Sequence, residues 1–84
     1  MEQYYSRRQD DSQHISGFLE NIEKLTNEEL IQDYKNNLKV GLSGMHLHSL
    51  RLLALRIVFI RRFDKSPIKF TDNCIISLSD SFEI

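Results

Sequence analysis

A mainly α fold is what this sequence predicts: a small three-helix domain with a short C-terminal extended segment or β-hairpin. Three observations carry that expectation. Apolar residues recur at helical spacing through three successive stretches, a capping box stands before the second of them, and beyond Pro67 the apolar spacing becomes alternating. With 84 residues, 40% of them hydrophobic, the chain has material for one small core and not for two.

Residues 1–10 are polar and lack a period, so they are expected to form a flexible arm ahead of a single helical domain over 11–84. Tyr4, Tyr5, Arg7 and Arg8 are the arm residues suited to ordering on a partner. Asp10, Asp11 and Ser12 suit a helix start, and after them Ile15, Phe18, Leu19 and Ile22 share one helical face. In Thr26-Asn27-Glu28-Glu29 the Thr26 hydroxyl is placed to accept from the Glu29 amide while the Glu29 carboxylate reaches back to the Thr26 amide. Leu25 and Leu30 flank this box as a hydrophobic staple, opening a second helix whose inward face is Leu30, Ile31, Tyr34 and Leu38 and whose natural stop is Gly41. Ser43 is the cap expected for a third helix from about Gly44 to Phe63. Arg61 and Arg62 complement its dipole, and Pro67 prevents it from running much further.

After Phe70, the group Thr71-Asp72-Asn73 reads as a turn, and Cys74, Ile76 and Leu78 then alternate with Ile75, Ser77 and Ser79. An isolated two-stranded hairpin is marginal in water, so this tail is expected to pack on the helices or to pair with another chain.

The third helix carries two apolar stripes. At 100° per residue, Leu47, Leu50, Leu53, Ala54, Ile57 and Ile60 form one broad face, suited to burial against the first two helices. Leu52, Leu55, Phe59 and Phe63 form another, nearly opposite. Cover for the second stripe can come from the C-terminal residues Cys74, Ile76, Leu78, Phe82 and Ile84, from a second copy of the chain, or from a different protein. Each large side chain contributes roughly 1.5–3 kcal/mol when buried, so such a stripe does not stay in water. The reading favoured here is association: an interface of Leu52, Leu55, Phe59 and Phe63 assisted by Ile76 and Leu78, closed as a homodimer.

Catalytic and metal signatures do not emerge. His46 and His48 are two apart on a helix and splay, and no paired Cys or His spacing offers a metal site or cofactor attachment. Cys74 sits in an apolar alternation where a free thiol packs as a small hydrophobe, and the carboxylates fall at helix starts and on solvated helix faces. A single cysteine permits no intrachain disulfide, which with the polar N-terminus points to the cytoplasm. Leu50–Ile60, the most apolar run, is broken by Arg51 and Arg56 and falls short of the roughly 20 residues a membrane span needs, so no membrane association is expected.

Charge is unevenly placed. Residues 1–40 hold eight acids and five bases, a net of −3, whereas residues 41–70 hold six bases and one acid, a net of +5. Arg51, Arg56, Arg62 and Lys65 are therefore the candidate nucleic-acid contacts, with the second and third helices as a helix-turn-helix pair, although leucine and phenylalanine occupy the face that would read bases. The function expected is that of a non-enzymatic protein-interaction module without cofactors: a small inhibitor, adaptor or regulator, of the kind phages and mobile elements carry, that binds a larger protein partner. The alternative is a DNA- or RNA-binding regulator using the basic third helix.

Overall fold

An 18-residue helix runs through the middle of the molecule and everything else is wrapped around it. The computed structural model describes residues 2–40 and 46–79, which form β1 (Glu2–Tyr4), α1 (Asp11–Ile22), α2 (Asn27–Val40), α3 (His46–Phe63), β2 (Ile68–Phe70) and β3 (Ile75–Leu78). Ser49, Leu50, Leu52, Leu53, Ala54, Leu55, Val58 and Phe59 of α3 are all buried, and at 100° per residue they cover nearly its whole circumference. Side-chain pairs fix the helix directions. Asp11 meets His46 where α1 and α3 begin, and Glu23, just beyond α1, pairs with Arg61 near the end of α3, so these two helices run parallel. Arg62 binds Asn27 at the start of α2 (3.2 Å) and Arg51 binds Asp33 (2.7 Å), so α2 runs antiparallel to α3.

The third side is a sheet, and it corrects the expected interface. Leu52, Leu55 and Phe59 are fully buried within the single chain, Phe63 is half-buried with its ring 5.9 Å from that of Phe59, and Ile76 and Leu78 lie in the same core. The C-terminal hairpin supplies the layer that three helices alone lack, so the stripe is interior and offers no surface for a second copy. The other stripe is the less covered one: Leu47 is 51% and Ile60 37% exposed, because they lie toward the two ends of α3. Phe82 and Ile84, also expected to provide cover, lie outside the described residues, as do Gly41 and Ser43.

Local chemistry explains the boundaries. The Glu29 amide donates to Thr26 Oγ1 (3.1 Å) and the Thr26 amide to Glu29 Oε1 (2.9 Å), so the capping box forms as expected. Those bonds hold the Glu29 carboxyl below its usual range. Leu30 is buried and Leu25 packs against the core, as a staple requires. Beyond α3, Asp64 takes the left-handed conformation (φ 63°) and donates its amide to the Ile60 carbonyl (3.0 Å), a helix-ending geometry for which glycine is the usual residue.

The sheet has three strands in the order β1-β3-β2, both pairs antiparallel. In register, Gln3 and Phe70 oppose Ile76 from either side, and Lys69 opposes Ser77. A type of hairpin turn with one left-handed residue joins β2 to β3: the Cys74 amide donates to Thr71 O, the Thr71 amide to Ile75 O (both 3.0 Å), and Cys74 has φ 61°. The flexible arm expected over residues 1–10 is corrected by β1. Glu2–Tyr4 adds to the free edge of β3, the Tyr5 amide donates to the Cys74 carbonyl (2.6 Å), and the Tyr5 ring is buried. The physical reason is that β3 without β1 would present unpaired backbone groups at an edge.

Candidate functional site

Two polar constellations stand out on this frame. One anchors the N-terminus, and the other is a basic cleft at the opposite end of α3.

Asp11, the first residue of α1, is 4% exposed and ionised. Its Oδ2 accepts from the Tyr5 hydroxyl and from the Arg8 amide (2.7 Å), and its Oδ1 accepts from His46 Nε2 (2.7 Å). Burial works against the charged carboxylate, but these hydrogen bonds outweigh it and hold Asp11 down at about 2. Burial and the Asp11 bond together push the Tyr5 hydroxyl up to about 12. Because an ionised carboxylate only accepts, His46 Nε2 must carry a proton. The Tyr5 ring stacks on that imidazole (5.6 Å, 9°) and meets Phe70 edge-on (5.7 Å). Sequence spacing gave Asp11 the role of a solvated helix-start acid. Its neighbours arrive from residue 5 and residue 46, and that convergence only the tertiary fold supplies. A cleft of ≈ 310 Å³ opens beside it, lined in part by Arg8, His14 and Leu47. The constellation consumes its own hydrogen-bonding capacity in tying three segments together, so its chemistry is that of a structural clamp.

The sequence-predicted nucleic-acid residues do not share a surface. Arg51 is tied to Asp33 and lies 5.7 Å over the Phe18 ring, and Arg62 donates to the Glu23 carbonyl (3.0 Å) and to Asn27. Both are held on the helical side of α3 by acceptors from other elements. Arg56 and Lys65 lie elsewhere, in a cleft of ≈ 310 Å³ between the end of α3 and β2. Arg56 and Ile60, four apart, lie on one face of α3. The left-handed turn at Asp64 then reverses the chain, and β2 brings Lys69 and Phe70 alongside. Ile60 is exposed and Phe70 half-buried, giving the cleft an apolar floor; Asp64 is the acid among its described lining residues. Lys69 and Ile60 were not among the expected site residues, because the turn that carries them together depends on a positive φ at an aspartate.

Both clefts measure ≈ 310 Å³, and other hollows of the described surface fall between 300 and 350 Å³, so volume does not choose among them. Composition does: the Arg56–Lys69 cleft combines three cations with exposed apolar surface. Among the described residues no group of His, Cys, Asp and Glu is arranged to hold a metal ion, and no helix is long and apolar enough to cross a membrane. Compared with protein-family models, with curated proteins and with solved structures, the chain matches none of them at significance.

Proposed function

We propose that the chain is a non-enzymatic protein-interaction module, a small inhibitor, adaptor or regulator, that acts by seating a larger protein partner on the cleft between α3 and β2. The observation that carries this reading is the pairing of apolar and cationic surface there: Ile60 and Phe70 beside Arg56, Lys65 and Lys69. Exposed apolar atoms ringed by charge are the composition of a contact surface with a dry centre and a polar rim. The working form proposed is the single chain, since the stripe that argued for a homodimer is occupied by the chain's own hairpin.

The nucleic-acid reading has less support. A recognition helix must lie in a groove, and the middle of α3 is enclosed by protein. Affinity capture from the native host after nuclease treatment tests the proposal, comparing the wild-type chain with an Arg56→Glu/Lys69→Glu variant. A protein retained by the former and lost by the latter is the expected result. Retention that is unchanged in the variant, or that disappears with nuclease, overturns it.

A further inference from the structure

We infer that the pocket between α1, α3 and the β2–β3 hairpin binds a small uncharged aromatic molecule, two fused rings bearing one polar group. The pocket measures ≈ 300 Å³ and has only Phe70 in common with the α3–β2 cleft, so the inference goes beyond the interaction-module reading and does not rest on it. Its walls come from four parts of the chain. Ile15 is supplied by α1, Leu53 by α3, Phe70 and Cys74 by the hairpin, and the Tyr5 ring by the segment after β1. Polar side chains outnumber apolar ones around the other hollows, and here the proportion is reversed. A concave, chiefly apolar site with a few polar groups is the form that small-molecule sites take.

The walls are held in place without a ligand. Tyr5 is fixed by its bond to Asp11 and by stacking on His46, and the Cys74 amide is bound to the Thr71 carbonyl in the turn. Leu53 lies on α3, the most enclosed helix of the molecule. A preformed site of this kind spares a ligand the cost of ordering it.

Charge, size and ring geometry define the guest. The lining holds one cation, Arg7, and one anion, Asp11, so it has no net charge. A carboxylate drawn to Arg7 would be repelled by Asp11, and an ammonium group would find the Asp11 oxygens already accepting from Tyr5, Arg8 and His46. Either ion would also lose hydration on entering apolar walls, which leaves a neutral molecule favoured. An apolar cavity of about 150 Å³ is enough for benzene, so twice that volume matches two fused rings. The Tyr5 and Phe70 rings, 5.7 Å apart and inclined by 70°, offer an aromatic guest one surface for stacking and another for edge contact. Arg7 and Ser12, both exposed, supply donors at the rim for one hydroxyl or carbonyl oxygen. A free molecule is favoured over a partner's side chain, because an inserted side chain brings main chain that needs hydrogen bonds nearby, and both edges of β3 are already taken by β1 and β2.

NMR titration of the isotope-labelled chain with naphthol tests the inference. Saturable binding with a Kd on the order of 100 μM is expected, with shifts at the amides of Arg7, Ser12, Ile15, Phe70 and Cys74 and none along α2. Phenol, naphthoate, naphthylmethylammonium and N-acetyltryptophanamide should each bind at least about tenfold more weakly, the last standing for a partner's side chain. Ile15→Trp fills the pocket from α1 and should weaken naphthol binding at least about tenfold, whereas Ser16→Trp, at the next and exposed position, should leave it within about threefold. Circular dichroism checks that both variants fold, and if Ile15→Trp does not, the shifts in the wild-type chain decide. Absence of saturable binding, shifts centred elsewhere, equal binding by two folded variants, or binding of a charged analogue or the tryptophan amide as tight as that of naphthol overturns the inference.

Discussion

Removing one oxygen atom, in Tyr5→Phe, isolates the clamp that holds the N-terminal strand. The ring would remain stacked on His46 and edge-on to Phe70, while the hydrogen bond from the hydroxyl to the buried Asp11 carboxylate is lost. A hydrogen bond to a charged acceptor is worth about 1.5–3 kcal/mol. With a urea dependence of about 1 kcal/mol/M, at the small end of the range, the midpoint should fall by about 1.5–3 M at pH 7. The pH dependence follows from the sign of the Asp11 shift. Its pKa is lowered from 3.8 in the unfolded chain to about 2 in the fold, so its contribution is complete above 3.8 and is lost as pH falls toward 2. Tyr5→Phe removes one of the bonds that depress this pKa, and the urea midpoints of mutant and wild type should therefore converge as pH drops through that window. A mutant with an unchanged midpoint at pH 7, or a difference that persists undiminished at pH 2, would refute the clamp.

Phe59→Glu puts an unpaired charge at the centre of the core beside Tyr34, and should unfold the chain by circular dichroism; a folded variant would show the stripe to be surface after all. Thr26→Ala removes one half of the capping box and should cost about 1 kcal/mol in a denaturation series. Cys74→Gly relieves the left-handed φ of 61° and should raise stability by about 0.5–1 kcal/mol after the larger unfolded-state entropy of glycine is counted; a lower thermal midpoint would mean the thiol's packing outweighs the strain.

Local signals were legible in the sequence and long-range ones were not. Thr26 and Glu29 act within four residues, and both bonds of the box form; the turn at Thr71-Asp72-Asn73 likewise needs only its own chemistry. The inward residues Leu30 and Tyr34 followed from period alone. β1 was hidden because a three-residue polar strand has no pattern of its own: Glu2–Tyr4 is selected by pairing with Ile75–Ser77, more than 70 positions away. The clamp was concealed for a related reason: Asp11 looks like any acid at a helix start until the fold brings Tyr5, 6 positions away, and His46, 35 positions away, onto its carboxylate. The two stripes of α3 were read correctly as apolar, but deciding what covers each required knowing that the hairpin folds back as a layer. Of the basic residues, composition shows the excess in 41–70, while only the fold places Arg51 and Arg62 against α1 and α2 and Arg56 and Lys65 at the cleft.

Site-specific photo-crosslinking in the native host tests most directly whether the α3–β2 cleft is where this chain meets a partner. A photoreactive residue at position 69, in the cleft, should give a discrete, nuclease-resistant protein adduct, and the same residue at the exposed positions 16 on α1 and 35 on α2 should not. Adducts of equal yield from positions 16 or 35, or adducts from position 69 that nuclease removes, would contradict the cleft as a protein-binding site.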